Sequence, residues 1–382
     1  MKILYCGAFR FPTGDAAASR VLNNAKIIKS LGHEVEFIAF GGKQIAETYQ
    51  GFKYNISHDI DLKWSWSKIK SLFCSGYKTI DKLKDSISKY DAIIIYNPST
   101  YFTAKMISLC SRHSVKLIVD ATEWYSHRDF PLSFFNPFFY IYSFGERHVK
   151  TRIKNAIPIS RYLFNHFEKS KTKIILPPLV DLTEEKWSKS APSIKPFDGV
   201  TLIYAGNAGN KKDRIDIVLE ALDQATQRGA KLRLLILGST KVLFRDEAQQ
   251  ERLQHIVEFL GRVPQDEVPS YYKLADFSVL IRDVNRKSNA GFSTKLVESI
   301  AAGVPPIVNK TSNIEDYLID SKNSVLLNTP SAEELTDSFL KINNWDTERL
   351  TALSEKVKEL AYTSFHYESY KKQMSDFLEN LE

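Results

Sequence analysis

Asn289-Ala-Gly-Phe-Ser-Thr-Lys-Leu-Val-Glu-Ser-Ile-Ala-Ala-Gly-Val-Pro-Pro-Ile-Val308 strings a glycine turn, a helix start, an embedded carboxylate and a strand together. Gly291 frees the backbone to approach a ligand closely. Ser293 or Thr294 can cap the helix that follows, whose first-turn amides then point at an anion such as a phosphate. Glu298 sits about one helical turn further on, where one carboxylate can accept two hydrogen bonds from a vicinal diol such as a ribose. Gly303 ends the helix, and Pro305-Pro306 turns the chain into the apolar pair Ile307-Val308.

Working outward, short apolar runs alternate with helical stretches. Ile3–Cys6, Val35–Phe40, Ala92–Tyr96, Lys116–Val119 and Asn155–Ile159 read as buried strands. Between them lie helical stretches such as Ala17–Leu31, Lys78–Lys89 and Thr103–Arg112. Residues 181–198 are polar and read as a linker. Strands then resume at Val200–Tyr204, Leu232–Leu237, Ile256–Phe259, Phe277–Ile281, Pro306–Val308 and Val325–Leu327. This order predicts an α/β protein with two Rossmann-like, doubly wound parallel sheets. A terminal amphipathic helix is expected over Tyr367–Leu381.

Composition bounds the function. The 382 residues, 43% hydrophobic and 12% aromatic, suffice for two ordinary domains and disfavour disorder. The formal charge of +7 favours an anionic partner. Nucleic acid is not expected, because zinc spacing, an RNP-like aromatic motif and a concentrated basic run are all missing. Three widely spaced cysteines, Cys6, Cys74 and Cys110, suggest neither disulfides nor zinc, which fits a reducing cytoplasm. Met1–Cys6 is too short for a signal peptide, and Phe130–Phe144 is broken by Pro131 and Pro137, so membrane contact is expected to be peripheral. The first loop, Gly7-Ala-Phe-Arg-Phe-Pro-Thr-Gly14, lacks the spacing of a dinucleotide fingerprint, which disfavours nicotinamide chemistry.

The turn, helix, Glu298, Ala-Ala-Gly-Val-Pro and strand resemble the donor-site signature of family 4 glycosyltransferases, retaining enzymes of the GT-B fold. That resemblance implies two domains facing across a cleft: an acceptor domain over residues 1–180 and a nucleotide-sugar donor domain over 199–364. It also implies that the helix at 365–382 returns to the first domain. The family carries two glutamates eight positions apart; the second falls on Glu298, whereas the first falls on Ala290.

On the same resemblance Gly14 lies between donor and acceptor, and Ala205-Gly206-Asn207-Ala-Gly-Asn-Lys211-Lys212 holds the diphosphate. The family has an arginine where Asn207 stands and a lysine where Lys212 stands; Lys211 shares the task. A fixed ammonium and a helix N-terminus together stabilise a departing diphosphate without a metal. Arg262 either reaches the phosphates or flanks a turn. Arg282, Asn285, Arg286 and Asn289 are expected on a loop lining the cleft, with Gly291 and Phe292 beside the donor; Arg10 and Arg20 suit either an anion or, equally, a solvated surface.

On the acceptor side, Asp120 and Glu123 end a buried strand as candidate catalytic carboxylates, although Asp120 equally suits a helix cap. His127 is a lesser candidate. The basic-aromatic stretches Leu62–Phe73 and Phe130–Tyr142 suit either a membrane surface or core packing with snorkelling lysines.

The implied activity is metal-independent hexosyl transfer from a nucleotide-diphosphate sugar to a saccharide or lipid-linked acceptor. It would serve capsule or O-antigen polysaccharide assembly at the inner face of the cell membrane, with no cofactor beyond the sugar nucleotide. The alternative is a non-catalytic subunit supporting an active partner.

Overall fold

A computed structural model describes residues 1–12, 15–60, 75–208, 212–242 and 244–382. Gly14, Lys211 and the whole stretch Leu62–Phe73 lie outside the described residues. The chain forms two compact units. The first comprises Met1–Leu179, Asn289–Phe292 and Tyr367–Glu382; the second comprises Val180–Ser288 and Ser293–His366.

The first unit holds strands β1 (Lys2–Phe11), β2 (Glu34–Gly42), β3 (Thr48–Tyr49), β4 (Phe52–Ile56), β5 (Ala92–Tyr96), β6 (Lys116–Ala121), β7 (Asn155–Pro158) and β8 (Thr172–Lys173). They lie in the order β3-β4-β2-β1-β5-β6-β7-β8. Every pair is parallel except β3 with β4, which is antiparallel. The chain adds β2 on one side of β1 and later returns to add β5 on the other, so the carboxyl ends of β1 and β5 form a topological switch point.

Two strand expectations change. β1 does not stop at Cys6: after an irregularity between Gly7 and Arg10 it pairs Phe11 with Gly42, because Phe9 and Phe11 have core to fill. Most of the expected glycine loop is therefore strand. β4 was not foreseen, yet Phe52, Tyr54 and Ile56 are buried and alternate with exposed Lys53 and Asn55, the period of a half-buried strand. At the C-terminus a 3-10 turn over Tyr367–Tyr370 leads into a helix at Lys371–Glu379, shorter than expected. Its Met374, Phe377 and Leu378 join the core of the first unit, and Asn155 exchanges two hydrogen bonds with the Glu382 backbone, at 2.8 and 3.0 Å.

The second unit holds β9 (Val200–Ala205), β10 (Leu232–Leu237), β11 (Val257–Gly261), β12 (Phe277–Leu280), β13 (Pro306–Asn309) and β14 (Val325–Leu327), all parallel, in the order β11-β10-β9-β12-β13-β14. Its switch point falls between β9 and β12, where the chain first goes outward to β10 and β11 and then crosses back. Residues 181–198 belong to this unit. Trp187 and Ile194 pack against its core, and the Trp187 indole donates to Asp181 O at 2.7 Å, so the polar composition of the stretch conceals two apolar anchors.

Candidate functional site

In the second unit, the loops leaving β9 and β12 meet at the switch point. Gly206 follows β9 with φ of +153°, and its amide donates to Leu237 O at 2.7 Å. A Cβ at Gly206 would fall on the ammonium of Lys295, so this position must be glycine for the lysine to lie across the loop. Lys295 itself stands in the first turn of the helix Thr294–Ala301. Ser293 is that helix's N-cap: its hydroxyl accepts from Leu296 N at 3.4 Å, while the earlier first-turn amides have no intrahelical partner.

Beneath this corner lies Asp213, which gathers three donors. Arg282 Nε donates at 2.8 Å and the Tyr204 hydroxyl at 2.9 Å, and the Lys295 ammonium forms a close ion pair with the same carboxylate. Lys295 also donates to the Tyr204 hydroxyl at 3.2 Å. Burial opposes the charge on Asp213, yet Arg282 and Lys295 outweigh it and hold the carboxyl down at about 2. Burial lowers the Lys295 ammonium despite the upward pull of Asp213. The cluster thus carries two cations for one carboxylate, and the Lys295 side chain retains 28% of its exposure. A surplus positive charge on a partly exposed ammonium suits an anion.

Glu298 follows three residues after Lys295, on the adjoining turn. Burial pushes its carboxyl up to about 7, against the opposing effects of Lys186 and Lys295. It is half-buried, and no hydrogen bond to its oxygens is formed among the described residues.

The sequence candidates separate on this geometry. Gly206, Ser293, Thr294, Glu298 and Arg282 fall on the elements that build the corner. Arg282 turns inward to Asp213, with its backbone amide and carbonyl both bonded to the Asn309 side chain at 2.8 and 2.9 Å, so it braces the site and does not present a free guanidinium. Asn207 lies in the loop, where its carbonyl accepts from Tyr204 at 3.4 Å. Lys212 is exposed, one residue before Asp213, and Arg262 is exposed just beyond β11. Arg286–Ala290 is a short helix and not a loop, with Ser288 N bonded to the Asn285 side chain at 3.0 Å. Asn289, Gly291 and Phe292 belong to the segment that clusters with the first unit, and Ala290 there is fully buried.

Lys295 and Asp213 were missed. The signal available was Lys295 itself, inside the quoted stretch; the role of Asp213 depends on a contact spanning 82 residues. A larger concavity of about 520 Å³ opens at the opposite end of the same helix, lined by Trp187, Lys273, Gly303 and Lys358 among others. Its Lys273 is bonded to the carbonyls of Trp187 and Lys189 at 2.6 and 2.8 Å.

In the first unit the expected catalytic corner is differently built. Asp120 is fully buried, bound by Arg20 through Nε at 3.0 and 3.1 Å and through NH2 at 2.7 Å, and by a short hydrogen bond from Tyr5. Arg20 also donates to Leu176 O at 2.7 Å. Both residues are consumed by each other, which corrects the expectations that Asp120 meets an acceptor, or caps a helix, and that Arg20 meets an anion. Arg10 is exposed. Glu123 is half-buried and takes a short hydrogen bond from the Tyr125 hydroxyl, whose own proton is held more tightly because of burial and the neighbouring carboxylate. His127 is bonded to Ser133 Oγ at 2.8 Å and stacked on Phe134.

Comparison with known proteins agrees with this architecture. Residues 185–360 match the family described as Glycosyl transferases group 1. A protein of Escherichia coli strain K12 named as a colanic acid biosynthesis glycosyltransferase, WcaL, is 22% identical over 193 residues, 50% of this chain and 47% of that protein. The chain therefore spans about half the length of that curated relative. Among solved structures, sucrose-phosphate synthase from Thermosynechococcus elongatus aligns with a TM-score of 0.70 at 17% identity, covering 99% of this chain and 98% of that one. Anabaena HepE in complex with UDP aligns with a TM-score of 0.70 at 15% identity over 100% of both chains. The fold is GT-B.

Proposed function

We propose that the chain is a retaining glycosyltransferase that moves a hexose from a nucleoside-diphosphate sugar to a saccharide acceptor, free or lipid-linked, in cell-surface polysaccharide assembly in the cytoplasm. The observation that carries this reading is the net positive charge of the Arg282, Lys295 and Asp213 cluster, set beside the capped start of the helix Thr294–Ala301 and one turn from the Glu298 carboxyl, which takes no hydrogen bond among the described residues. A diphosphate would neutralise the first and a ribose diol would satisfy the second. The group 1 match over 185–360 covers this corner, and WcaL and the UDP complex of HepE bear names consistent with it.

In the proposed reaction the bond between the sugar C1 and the diphosphate oxygen breaks, and the acceptor oxygen bonds to C1 from the same face. The acceptor proton passes to a donor phosphate oxygen. Lys295, Lys212 and the helix N-terminus stabilise the leaving diphosphate, the role a metal plays elsewhere. Glu123, whose second oxygen takes no hydrogen bond among the described residues, would orient an acceptor hydroxyl.

Purified protein offered UDP-, GDP- and ADP-sugars, with a CMP-sugar as a donor lacking a diphosphate, should release nucleotide from one diphosphate donor. Glu298→Ala and Lys212→Ala should each reduce that release. Burial of Ala290 where the family has a glutamate favours the alternative of a supporting, non-catalytic subunit. Absence of both turnover and binding for every donor would establish that second reading.

A further inference from the structure

The aromatic stretch from Phe130 to Phe144 is not core. Leu132 is 76% exposed and Phe135 89%, and Phe134, Tyr140, Ile141 and Phe144 are exposed as well. Single exposed apolar residues are ordinary, but six within thirteen positions form a patch that requires a partner.

The patch is held in place. Leu132 and Ser133 both adopt left-handed backbone, with φ of +60° and +52°, a conformation unfavourable for non-glycine residues. The surrounding bonds maintain it. Ser133 N donates to Phe130 O at 3.0 Å, and its hydroxyl meets His127 Nδ1 at 2.8 Å. The Asn136 amide donates to Pro131 O at 2.8 Å while its oxygen caps the helix Pro137–Phe144 through Phe138 N at 2.9 Å. The His127 ring stacks on Phe134 at 3.6 Å. A loop free to collapse would hide Leu132 and Phe135; this one is braced to display them.

Its charged flank is net positive: two exposed arginines stand against one exposed aspartate, Asp129. Arg128 is exposed beside His127, and Arg147 and His148 are exposed in the turn after the helix, with the His148 ring 5.3 Å from Phe144. Of the local acids, Asp129 stays charged while accepting from Ser126 N and Oγ at 2.8 and 3.0 Å, and Glu146 is buried and neutralised in an ion pair with Lys150. No described helix is long and apolar enough to cross a membrane.

From this geometry we infer that the Pro131–Phe144 tip is an interfacial anchor that enters the headgroup layer of an anionic bilayer. Leu132 and Phe135 insert among the acyl chains, and Arg128 and Arg147 lie on lipid phosphates. The inference stands whether or not the chain transfers sugar.

Co-sedimentation with vesicles of phosphatidylcholine plus phosphatidylglycerol, against phosphatidylcholine alone, tests it. Wild type should partition onto the anionic vesicles and be released by salt. The double variant Leu132→Ser/Phe135→Ser should lose on the order of a hundredfold in partitioning, since two large apolar groups no longer leave water. Arg128→Gln and Arg147→Gln should each lose about fivefold. All these side chains face water, so circular dichroism should show each variant folded. Failure of wild type to bind anionic vesicles, or equal binding by the double variant, overturns the anchor. A wild-type dimer without vesicle binding, rendered monomeric by the double substitution in sedimentation velocity, would instead assign the face to a second copy of the chain.

Discussion

Each unit builds a buried aspartate, an arginine and a tyrosine into one cluster, and the two clusters do opposite things. In the first, Asp120 meets Arg20 and Tyr5; in the second, Asp213 meets Arg282 and Tyr204. The tyrosines stand on β1 and β9, each the strand from which its sheet is wound outward in both directions. What differs is a third donor. The Asp120 cluster is neutral and closed, with Arg20 3% exposed, so it fastens a helix to a sheet. The Asp213 cluster adds Lys295, which makes it net positive and leaves an ammonium at the crevice. One further cation separates a closed brace from a cluster with a net positive charge.

The largest effect should come from breaking the closed cluster. Asp120→Asn leaves the Arg20 guanidinium buried beside a neutral partner, and should cost about 3–5 kcal/mol in urea unfolding. Asp213→Asn should cost somewhat less: Arg282 is left beside a neutral partner too, but it is 10% exposed against 3% for Arg20, and Lys295 reaches water when released. Equal losses would mean that the second cluster is as closed as the first.

A smaller effect is expected on ligand affinity. Lys295→Met should weaken binding of the preferred nucleoside diphosphate by about 2 kcal/mol, roughly thirtyfold, in calorimetry, while the unfolding midpoint moves little. Unchanged affinity would remove Lys295 from the site and return the cluster to a structural role.

The smallest effect concerns pH. The carboxyl of Glu298 is raised from 4.5 to about 7, so the unfolded chain ionises first as pH rises. Stability from this group is complete below about pH 4.5 and is lost as pH climbs toward 7. Glu298→Gln should abolish that loss, gaining about 1–3 kcal/mol relative to wild type between pH 4 and 8. Parallel stability profiles for the two proteins would show that Glu298 ionises freely.

Much of the fold was legible because buried parallel strands are written as continuous apolar runs: Ala92–Tyr96, Leu232–Leu237 and Val325–Leu327 were readable to the residue. Ser293 as a cap and Glu298 one turn later were legible too, because both depend on helical spacing alone. Other readings failed where a local pattern was outvoted. The strand β1 ran on past Gly7 because Phe9 and Phe11 found core, and Trp187 drew an otherwise polar stretch onto the second unit.

The sequence by itself determined the two parallel sheets, the helix that follows Asn289–Phe292 and the carboxylate on it, because periodicity and capping act within a few residues. Only the tertiary structure decided which charges are spent and which are available. Asp120 and Arg20 are 100 positions apart, and Asp213 and Lys295 are 82 apart; no local rule pairs them. Burial and partner number, properties of the assembled fold, closed the first pair to solvent and left Lys295 half-open with charge to give.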